Sequence, residues 1–263
     1  MKPYVLLTRP DGKNTRLSQR LAQEHFPVLE LPVLQLEAND EAQAPAADDY
    51  DLLVFVSGFA VDCYFQALKK QGIQQWPKDV YAAAVGEATA QALKQTGLLP
   101  DNAIVAPSAE SAQDSEALWD VLQKRKLDFK RVLIVCGNSG RDWLSEQLSA
   151  AGVCVQRYHA YTRQPAQWQP VQLQKLQELA VSQHKVIVLL TSRQSVDAWL
   201  AGIRQADLMA LVPHADFVVL HERIALHLGQ GIQHLFQDAK PTIIVTKPDD
   251  ESMFRSIMML AST

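Results

Sequence analysis

One supersecondary unit occurs twice in this sequence, and the repeat restricts the chain to folds built from alternating strands and helices. In residues 131–165, an apolar run leads through a Gly-Asn-Ser-Gly turn into an amphipathic helix, and a second strand follows a terminating glycine. The N-terminal segment YVLLTRPDGKNTRLSQRLAQEHFPVLELPVL aligns with this unit at a shift of 127, which places Leu6 on Leu133 and Leu17 on Leu144. The pattern predicts two copies of one β–turn–helix–β design.

The repeat extends beyond this first unit. Residues 54–62 match residues 189–197 at a shift of 135, and residues 84–90 match residues 219–225 at the same shift. The segment order is therefore A-B-C-A′-B′-C′, which indicates an internal duplication rather than a short-period solenoid. Strands that alternate with helices throughout predict an α/β fold with parallel sheets.

Two divisions of the chain into domains are compatible with the repeat. A simple tandem copy places the boundary near residue 128. The extended, polar-flanked links at 32–49 and 161–170 indicate another division, in which segment A joins B′ and C′ in one domain while B, C and A′ form the other.

The composition is that of a soluble globular protein. The 263 residues suffice for two domains of about 100–150 residues each. A net charge of −4 without a Lys/Arg run argues against nucleic-acid and membrane-surface partners, and no apolar stretch approaches the roughly 20 residues of a membrane span. The N-terminus lacks the apolar core of a signal peptide. Cys63, Cys136 and Cys154, in apolar contexts, are expected to be buried reduced thiols, so we expect a cytoplasmic protein, and a monomer by default.

The usual signatures of cofactor and metal chemistry are absent from the sequence. It contains no G-x-G-x-x-G opening a βαβ unit, no Walker loop, no nucleophile elbow and no paired-histidine motif. His221 and His227 are six residues apart and would lie on different faces of a helix, so solvated or capping histidines are favoured over metal ligands. We predict neither a metal nor a cofactor.

Small and hydroxyl-bearing residues recur where predicted strands end and helices begin. In an open parallel sheet, this edge is where ligands bind, and helix N-termini offer backbone N–H groups to anions. Any one position is equally explained by helix capping or a tight turn, so the recurrence in four loops carries the prediction. The positions are Ser57, Gly58, Gly86 to Thr89, Gly137 to Gly140, Thr191 and Ser192.

Three further side chains have two interpretations each. Tyr161 ends a predicted strand and is either a rigid apolar plug, which its position alone favours, or a weak acid that faces a cleft. Arg141 follows the Gly137–Gly140 turn, and Arg9 lies at the equivalent strand end of the first unit. Each arginine either pairs with a substrate carboxylate or holds its turn.

Six segments, in this order and at these spacings, resemble the uroporphyrinogen-III synthase family over essentially the whole chain. They are TRP after the first strand, LLVFVSGFAV, AVGEATAQAL, GNSGRDWLSEQLSAAGVCV, YTR and LLTSRQSV. The resemblance implies two doubly wound, flavodoxin-like α/β domains joined by a two-stranded linker. The domains would comprise residues 1–35 with 166–263 and residues 45–160, and the linker residues 36–44 and 161–165.

The resemblance also implies the reaction. The family dehydrates and cyclises hydroxymethylbilane with inversion of ring D through a spiro intermediate, which makes it a carbon–oxygen lyase of haem biosynthesis. Unassisted closure gives the symmetric type I isomer, so the protein must hold the chain in the geometry that favours the spiro route. A substrate with eight carboxylates suits loops rich in N–H and hydroxyl groups, and hydroxymethylbilane synthase becomes the candidate for transient contact.

Site residues follow from the resemblance position by position. Tyr161 matches the tyrosine proposed to assist departure of the hydroxyl group, and Arg141 matches the arginine of the family's Gly-Gly-Arg turn. Ser57, Thr89 and Ser192 match positions in the cleft. Many members have Thr-Ser where this chain has Val-Ser before the second helix, and the late Gly-x-x-Thr-Ala motif reads His-Glu-Arg-Ile-Ala, where Arg223 is a candidate carboxylate partner.

Two other classes of protein remain as alternatives at this point. A non-catalytic two-domain binder that closes on a small anion would use the same loops, but it fits poorly with the missing signal peptide and the reduced cysteines. A two-domain nucleotide-dependent enzyme would be expected to carry a glycine fingerprint, which this sequence lacks.

Overall fold

The structure of the chain is a computed structural model that describes residues 2–39, 43–108, 110–125, 128–140, 142–236 and 241–262. Its strands are β1 Tyr4–Leu7, β2 Val28–Glu30, β3 Leu34–Ala38, β4 Leu52–Phe55, β5 Tyr81–Ala84, β6 Ile104–Val105, β7 Arg131–Gly137, β8 Cys154–Pro165, β9 Val186–Leu190, β10 Ala215–Val219 and β11 Ile243–Val245. Its α-helices are α1 Thr15–Gln23, α2 Gly58–Lys70, α3 Glu87–Gln95, α4 Ser115–Arg125, α5 Trp143–Ala150, α6 Pro170–Val181, α7 Arg193–Gln205, α8 Glu222–Leu235 and α9 Asp250–Ala261. Short 3-10 turns lie at Ala47–Asp49, Asp101–Ala103 and Met209–His214.

The chain divides into two compact units. Unit 1 comprises Met1–Gln35 and Gln164–Thr263, and unit 2 comprises Leu36–Arg163. The chain passes from one unit to the other within β3 and again within β8, and these two strands are neighbours in one sheet. The predicted α/β fold with parallel sheets is confirmed.

The sheet of unit 1 has the strand order β2-β1-β9-β10-β11, and its neighbouring strands are parallel. Numbered along the unit, this is 2-1-3-4-5, the flavodoxin-like order. Its three central strands, β1, β9 and β10, are buried on both faces. Alternate residues of a strand point to opposite sides of the sheet. Val186, Val188 and Leu190 of β9 join the core on one face, while Ile187 and Leu189 join the core on the other.

The sheet of unit 2 has the order β3-β8-β7-β4-β5-β6, in which the five strands from β8 to β6 are parallel. Numbered along the unit without β3, the order is 3-2-1-4-5, the other doubly wound arrangement. The spatial order of equivalent strands is nevertheless the same in the two sheets. The order in unit 2 is β8-β7-β4-β5-β6, and the corresponding order in unit 1 is β2-β1-β9-β10-β11. The orders along the chain differ because segment A′ is the last part of unit 2, whereas segment A is the first part of unit 1.

Two elements extend further than the sequence pattern predicts. An irregular link is predicted over 162–170, but β8 continues through Pro165. A helix is predicted over 222–229, but α8 continues to Leu235. Glycine inside a helix costs about 1 kcal/mol relative to alanine. Burial of Leu228 and Ile232 offsets that cost, and Gly231 permits a close approach to α7, since a Cβ there would lie 2.7 Å from Cδ1 of Leu200.

The prediction of three buried cysteines is correct for Cys63 and Cys136 and wrong for Cys154, which is exposed. Cys154 is the first residue of β8 and lies opposite the exposed Arg131, the first residue of β7. The amino ends of these two strands extend beyond the buried core, so an apolar sequence context did not ensure burial. None of the three cysteines forms a disulfide.

The Asp51 carboxylate joins the amino ends of β4 and β7. It accepts hydrogen bonds from the backbone N–H groups of Lys130 and Arg131, at 2.7 and 2.8 Å, and these bonds hold the pKa of Asp51 below its ordinary value. A lowered folded-state pKa stabilises the protein above pH about 4, and this contribution is lost as the pH falls through the lowered value. We expect Asp51→Asn to lower stability at pH 7 by about 1 kcal/mol, because a neutral acceptor replaces a charged one.

Thermal unfolding at several pH values checks this prediction. The difference in Tm between the wild type and Asp51→Asn is expected to be about 2–4 °C at pH 7 and to shrink towards zero as the pH falls below the lowered pKa of Asp51, where the carboxyl is neutral in both states. Asp120→Asn, at an exposed position of α4, is the control and should change Tm little. Equal Tm values for wild type and Asp51→Asn at pH 7 would contradict the role given to Asp51.

Candidate functional site

The carboxyl ends of the parallel strands in unit 2 meet at one edge of its sheet. Ser57 follows β4, Gly86 follows β5 and Asn138 follows β7, so the loops predicted to bind ligand lie along this edge. Tyr161 of β8 lies opposite Gly137, the last residue of β7. Unit 2 therefore brings together three loops with small and polar side chains and, on the neighbouring strand, the phenol of Tyr161.

A β-bulge directs Tyr161 into the core of unit 2. The register along β7 and β8 is regular as far as the pair Cys136–His159 and then shifts, so that Gly137 pairs with Tyr161. Because Ala160 is the extra residue, Ala160 and Tyr161 both join the same buried cluster, with exposed fractions of 2% and 1%. Regular alternation would have pointed the two side chains to opposite faces.

Glycine at position 137 makes room for the ring of Tyr161. A Cβ atom on Gly137 would lie 2.7 Å from Cε2 and 3.0 Å from Cζ of the tyrosine. On another side the ring packs edge-to-face against Phe59, with 5.1 Å between the ring centroids. The plug interpretation of Tyr161 is thus correct for the ring, while its hydroxyl has polar neighbours.

Ser57 links the start of α2 to the tyrosine hydroxyl. Its backbone is extended, and its Oγ accepts a hydrogen bond from the N–H of Ala60 at 3.2 Å, which caps the helix. The same Oγ lies 3.3 Å from the hydroxyl oxygen of Tyr161, where either group can be the donor. Helix capping and contact with Tyr161 are therefore both features of Ser57.

Arg163 is the cation at this hydroxyl, and we had not singled it out from the sequence. Its Nη2 donates to the hydroxyl oxygen of Tyr161 at 3.4 Å. The strand that carries both residues is held by Asn138, whose side chain accepts from the N–H of Arg163 at 3.1 Å and whose own N–H donates to the carbonyl of Tyr161 at 3.0 Å. In the sequence, the signals for this contact are the YTR segment and the Gly-Asn-Ser-Gly turn. The hydrogen bonds that join the two segments depend on the register between β7 and β8, which the sequence does not show.

This arrangement suits a phenol that gives up a proton. A guanidinium at hydroxyl distance stabilises negative charge on the phenol oxygen, and burial strengthens the interaction relative to water. The serine hydroxyl can donate a second hydrogen bond to the same oxygen. Tyr161, Ser57 and Arg163 together form a candidate general-acid site.

The other predicted site residues of unit 2 are Gly58, Gly86 and Thr89, none of which carries a charge. Gly58 is the first residue of α2, and a Cβ there would lie 3.6 Å from Cβ of Ala92, which is an ordinary contact, so packing against α3 does not require glycine at this position. Gly86 precedes α3, and the first N–H of that helix, on Glu87, donates to the side chain of Gln113 at 2.6 Å. Thr89 is buried one turn into α3. The side chain of Gln113 therefore accepts a hydrogen bond from the N–H of Glu87, one of the groups that the sequence analysis expects to be available to an anion.

In unit 1, Thr191 and Ser192 form a cap rather than an open loop. Ser192 Oγ accepts from the N–H of Ser195 at 3.0 Å, and Ser195 Oγ accepts from the N–H groups of Thr191 and Ser192 at 3.1 and 2.9 Å. Ser192 occupies the place at the start of α7 that Ser57 occupies at the start of α2. Capping is the role that the structure of unit 1 gives to these residues.

Arg9 holds its turn. Its Nη1 pairs with Asp250 at the start of α9 at 2.8 Å, and its Nε donates to Asn14 at 3.1 Å. The side chain is 14% exposed, and its Nη2 is buried without a hydrogen-bond partner among the described residues. Of the two interpretations of Arg9, the structure favours the structural one, since a carboxylate of the protein already neutralises the guanidinium.

Arg141 lies outside the described residues, so its assignment stays a prediction. Arg223 is exposed near the start of α8, where His221 caps the helix by accepting from the N–H of Arg223 at 3.1 Å. His227 pairs with Asp197 at 2.6 Å. Across the described ranges, no group of three or more His, Cys, Asp and Glu side chains is placed to hold a metal ion. The capping role favoured for His221 is confirmed.

A doubly wound α/β frame with its polar residues at the carboxyl ends of parallel strands defines a class of proteins that bind ligands at that edge. Comparison with known families identifies this chain more closely. The model of the family described as Uroporphyrinogen-III synthase HemD matches residues 15–244. The chain belongs to the uroporphyrinogen-III synthase family.

Individual relatives agree with this assignment. Uroporphyrinogen-III synthase of Escherichia coli is 26% identical over an alignment that covers 96% of this chain and 99% of the relative, and the Proteus mirabilis protein of that name is 28% identical over 164 residues. Among solved structures, uroporphyrinogen-III synthetase of Helicobacter pylori covers 99% of this chain with a TM-score of 0.62 and 18% identity. A mutant synthase of Thermus thermophilus has a TM-score of 0.54 at 16% identity. The two structures establish likeness of fold.

Within the described ranges, none of the helices is both long enough and apolar enough to cross a membrane.

Proposed function

We propose that this chain catalyses the reaction for which its family is named, the dehydration and cyclisation of hydroxymethylbilane to uroporphyrinogen III, as a carbon–oxygen lyase. Family membership and similarity along almost the full length of the E. coli relative support the proposal. One observation of the site carries it. The buried phenol of Tyr161 has its hydroxyl 3.3 Å from Ser57 Oγ and 3.4 Å from Arg163 Nη2, at the carboxyl edge of a parallel sheet.

In the first step, the bond between the hydroxymethyl carbon and its oxygen breaks. The pyrrole nitrogen supplies the electron pair, the oxygen takes a proton from the Tyr161 phenol, and water and an azafulvene result. Arg163 and Ser57 stabilise the phenolate that forms. The azafulvene keeps its nitrogen proton, and so carries one positive charge, until the final closure. The ring D carbon that forms the last bond then loses its hydrogen as a proton, which restores the Tyr161 phenol, so the overall change is loss of one water molecule.

In the second step, the azafulvene carbon is attacked by the substituted carbon of ring D. The resulting spiro intermediate fragments, and ring D recloses in the inverted orientation. The substrate supplies all the electrons, so the work of the protein is to hold four rings in the geometry in which this route is faster than direct closure to the type I isomer. Positioning therefore contributes more than acid catalysis by Tyr161.

We also propose that Gly58, Gly86, Thr89, Thr191, Ser192, Arg141 and Arg223 contact the substrate, although the caps described above reduce the number of free N–H groups expected from the sequence. Arg9 is not part of this set, because its guanidinium already pairs with Asp250, and the Oγ of Ser192 also caps α7 within unit 1. No metal or cofactor is part of the proposal.

The two units are proposed to be domains that arose by duplication. The equivalent spatial order of their strands supports this, as do the matching serine caps of α2 and α7. The chain passes from one unit to the other between residues 35 and 36 and between residues 163 and 164. The proposed linker segment 161–165 lies entirely within strand β8, and Tyr161 belongs to unit 2. A cytoplasmic monomer with transient contact to hydroxymethylbilane synthase completes the proposal, and cysteines outside disulfides suit that compartment.

A coupled assay tests the proposed function. Hydroxymethylbilane is generated in place by its synthase, with and without this protein, and the oxidised uroporphyrin isomers are separated by chromatography. Predominantly type III product is expected when the protein is present, and type I product when it is absent. Type I product alone, in the presence of folded protein, would refute the enzyme assignment and favour an anion binder of the same fold.

A further inference from the structure

A small pocket in unit 2 is not accounted for by the site around Tyr161. It has a volume of about 160 Å³ and lies where β7 and β8 meet the start of α5. Ser115 and Ser145 contribute hydroxyl groups to its wall, Cys136 contributes a thiol, and Arg157 and Arg163 contribute guanidinium groups. Two arginines in so small a pocket need a counter-charge, which a ligand can supply.

Arg157 is only partly neutralised by the protein. Its Nη1 pairs with Asp142, whose side chain is 58% exposed, and its Nη2 lies 3.6 Å from Sγ of Cys136. Its Nε is buried without a hydrogen-bond partner among the described residues. A guanidinium has five N–H donors, so Arg157 has the capacity for one more acceptor.

Arg163 borders both the pocket and the tyrosine hydroxyl. It lines the pocket beside Arg157, and its Nη2 reaches Tyr161 at 3.4 Å. Among the described residues that line the pocket, none is acidic. The pocket therefore attracts anions and lies directly beside the proposed acid.

The size of the pocket limits what it can hold. Pockets that enclose whole small molecules have volumes of about 300–1,000 Å³. A volume of about 160 Å³ corresponds to roughly five water molecules. It accommodates one short carboxylate arm but not a whole tetrapyrrole.

We propose that this pocket is a carboxylate subsite that receives one acetate or propionate arm of the tetrapyrrole substrate. Arg157 binds the carboxylate, and Arg163 both binds it and positions the hydroxyl of Tyr161. The inference rests on the proposed function and adds to it a specific anchor in unit 2. An anchored arm fixes its pyrrole ring relative to Tyr161, which is the positioning that the spiro route requires.

The two arginines have different expected kinetic effects. Arg157→Gln removes a charge-assisted contact that is the same in the ground state and the transition state, so KM should rise about tenfold with kcat unchanged. Arg163→Gln should raise KM similarly and also lower kcat, because it removes the donor to Tyr161. Arg157→Lys should recover part of the loss, since lysine restores the charge without the forked geometry. Steady-state rates of type III formation give both constants.

Two control variants separate anion binding from a merely structural role. Asp142→Asn breaks the same ion pair as Arg157→Gln but leaves Arg157 in place, so it should keep or lower KM. Arg131→Gln makes the same charge change at the exposed amino end of β7 and should leave both constants unchanged. If Asp142→Asn raised KM as much as Arg157→Gln does, the ion pair would be structural and the subsite proposal would be overturned.

Equilibrium binding of uroporphyrin, which has eight carboxylates, gives a readout that does not need turnover. Quenching of its fluorescence by the wild type and the variants should show about tenfold weaker binding for Arg157→Gln and Arg163→Gln. Inorganic phosphate should compete with uroporphyrin on the wild type and less on the variants. Wild-type turnover with unchanged KM and binding in both variants would refute the subsite and leave the enzyme assignment intact. Arginine-dependent binding without type III product would refute the enzyme assignment and support the subsite.

Discussion

The Tyr161→Phe variant is expected to form type III product with a kcat about 100-fold below that of the wild type, at the lower end of the range for general acids. The reason is that the departing hydroxyl group loses its proton donor, while the substrate keeps its binding contacts. Stability should change little. The two contacts of the hydroxyl, 3.3 Å to Ser57 and 3.4 Å to Arg163, are long, and the phenylalanine ring fills the same space beside Phe59.

Tyr64→Phe is the matched control, because Tyr64 is another buried tyrosine of unit 2. Its hydroxyl donates to the carbonyl of Pro45 at 2.8 Å, and burial raises the pKa of Tyr64. Loss of that bond should cost about 1 kcal/mol of stability and leave kcat unchanged. Thermal unfolding and the coupled assay on both variants give the comparison. Normal kinetics for well-folded Tyr161→Phe would remove Tyr161 from the mechanism.

The second large effect is expected at Gly137, where one added methyl group disturbs both packing and geometry. In Gly137→Ala, the new Cβ would lie 2.7 Å from Cε2 of Tyr161, well inside contact distance. The ring cannot move away freely, because it is buried and packs against Phe59. Overpacking of this kind costs about 1–3 kcal/mol, and displacement of the hydroxyl by roughly 1 Å should lower kcat by about 100-fold.

Gly229→Ala provides the comparison for a glycine that lies far from any such contact. It is inside α8, and nothing lies within 4 Å of its added Cβ. Alanine should stabilise this helix by up to about 1 kcal/mol without affecting turnover. Denaturant unfolding and the coupled assay measure both quantities. Wild-type activity and stability in Gly137→Ala would show that Tyr161 can shift without consequence, and the proposed general-acid geometry would then be wrong.

The sequence by itself was sufficient for the class of fold and for the loops that lie at the carboxyl ends of the parallel strands. Strand β4 was recognisable because its apolar residues are continuous, as in a sheet covered on both faces. The starts of α2 and α7 were recognisable from Ser57 and Ser192, because a serine side chain can satisfy an N–H group at a helix N-terminus. These signals are local, since each depends on residues within one or two turns of chain.

Features that depend on contacts distant in sequence needed the tertiary structure. The bulge that turns Tyr161 into the core is a property of the register between β7 and β8, and neither strand shows it alone. The sequence therefore left Tyr161 with two interpretations, and it did not identify Arg163 or Arg157 at all. It also assigned free N–H groups to loops where Ser195 and Gln113 supply acceptors.

The features that the sequence predicts and those that it misses differ for one physical reason. Periodicity, capping and turn chemistry are determined by neighbours in the chain, so the sequence alone determined the alternating strands and helices, the repeat and the polar edge of each sheet. The partner of a guanidinium or a phenol is chosen by distance in space. Only the tertiary structure decided that Arg9 neutralises Asp250, whereas Arg163 faces the hydroxyl of Tyr161.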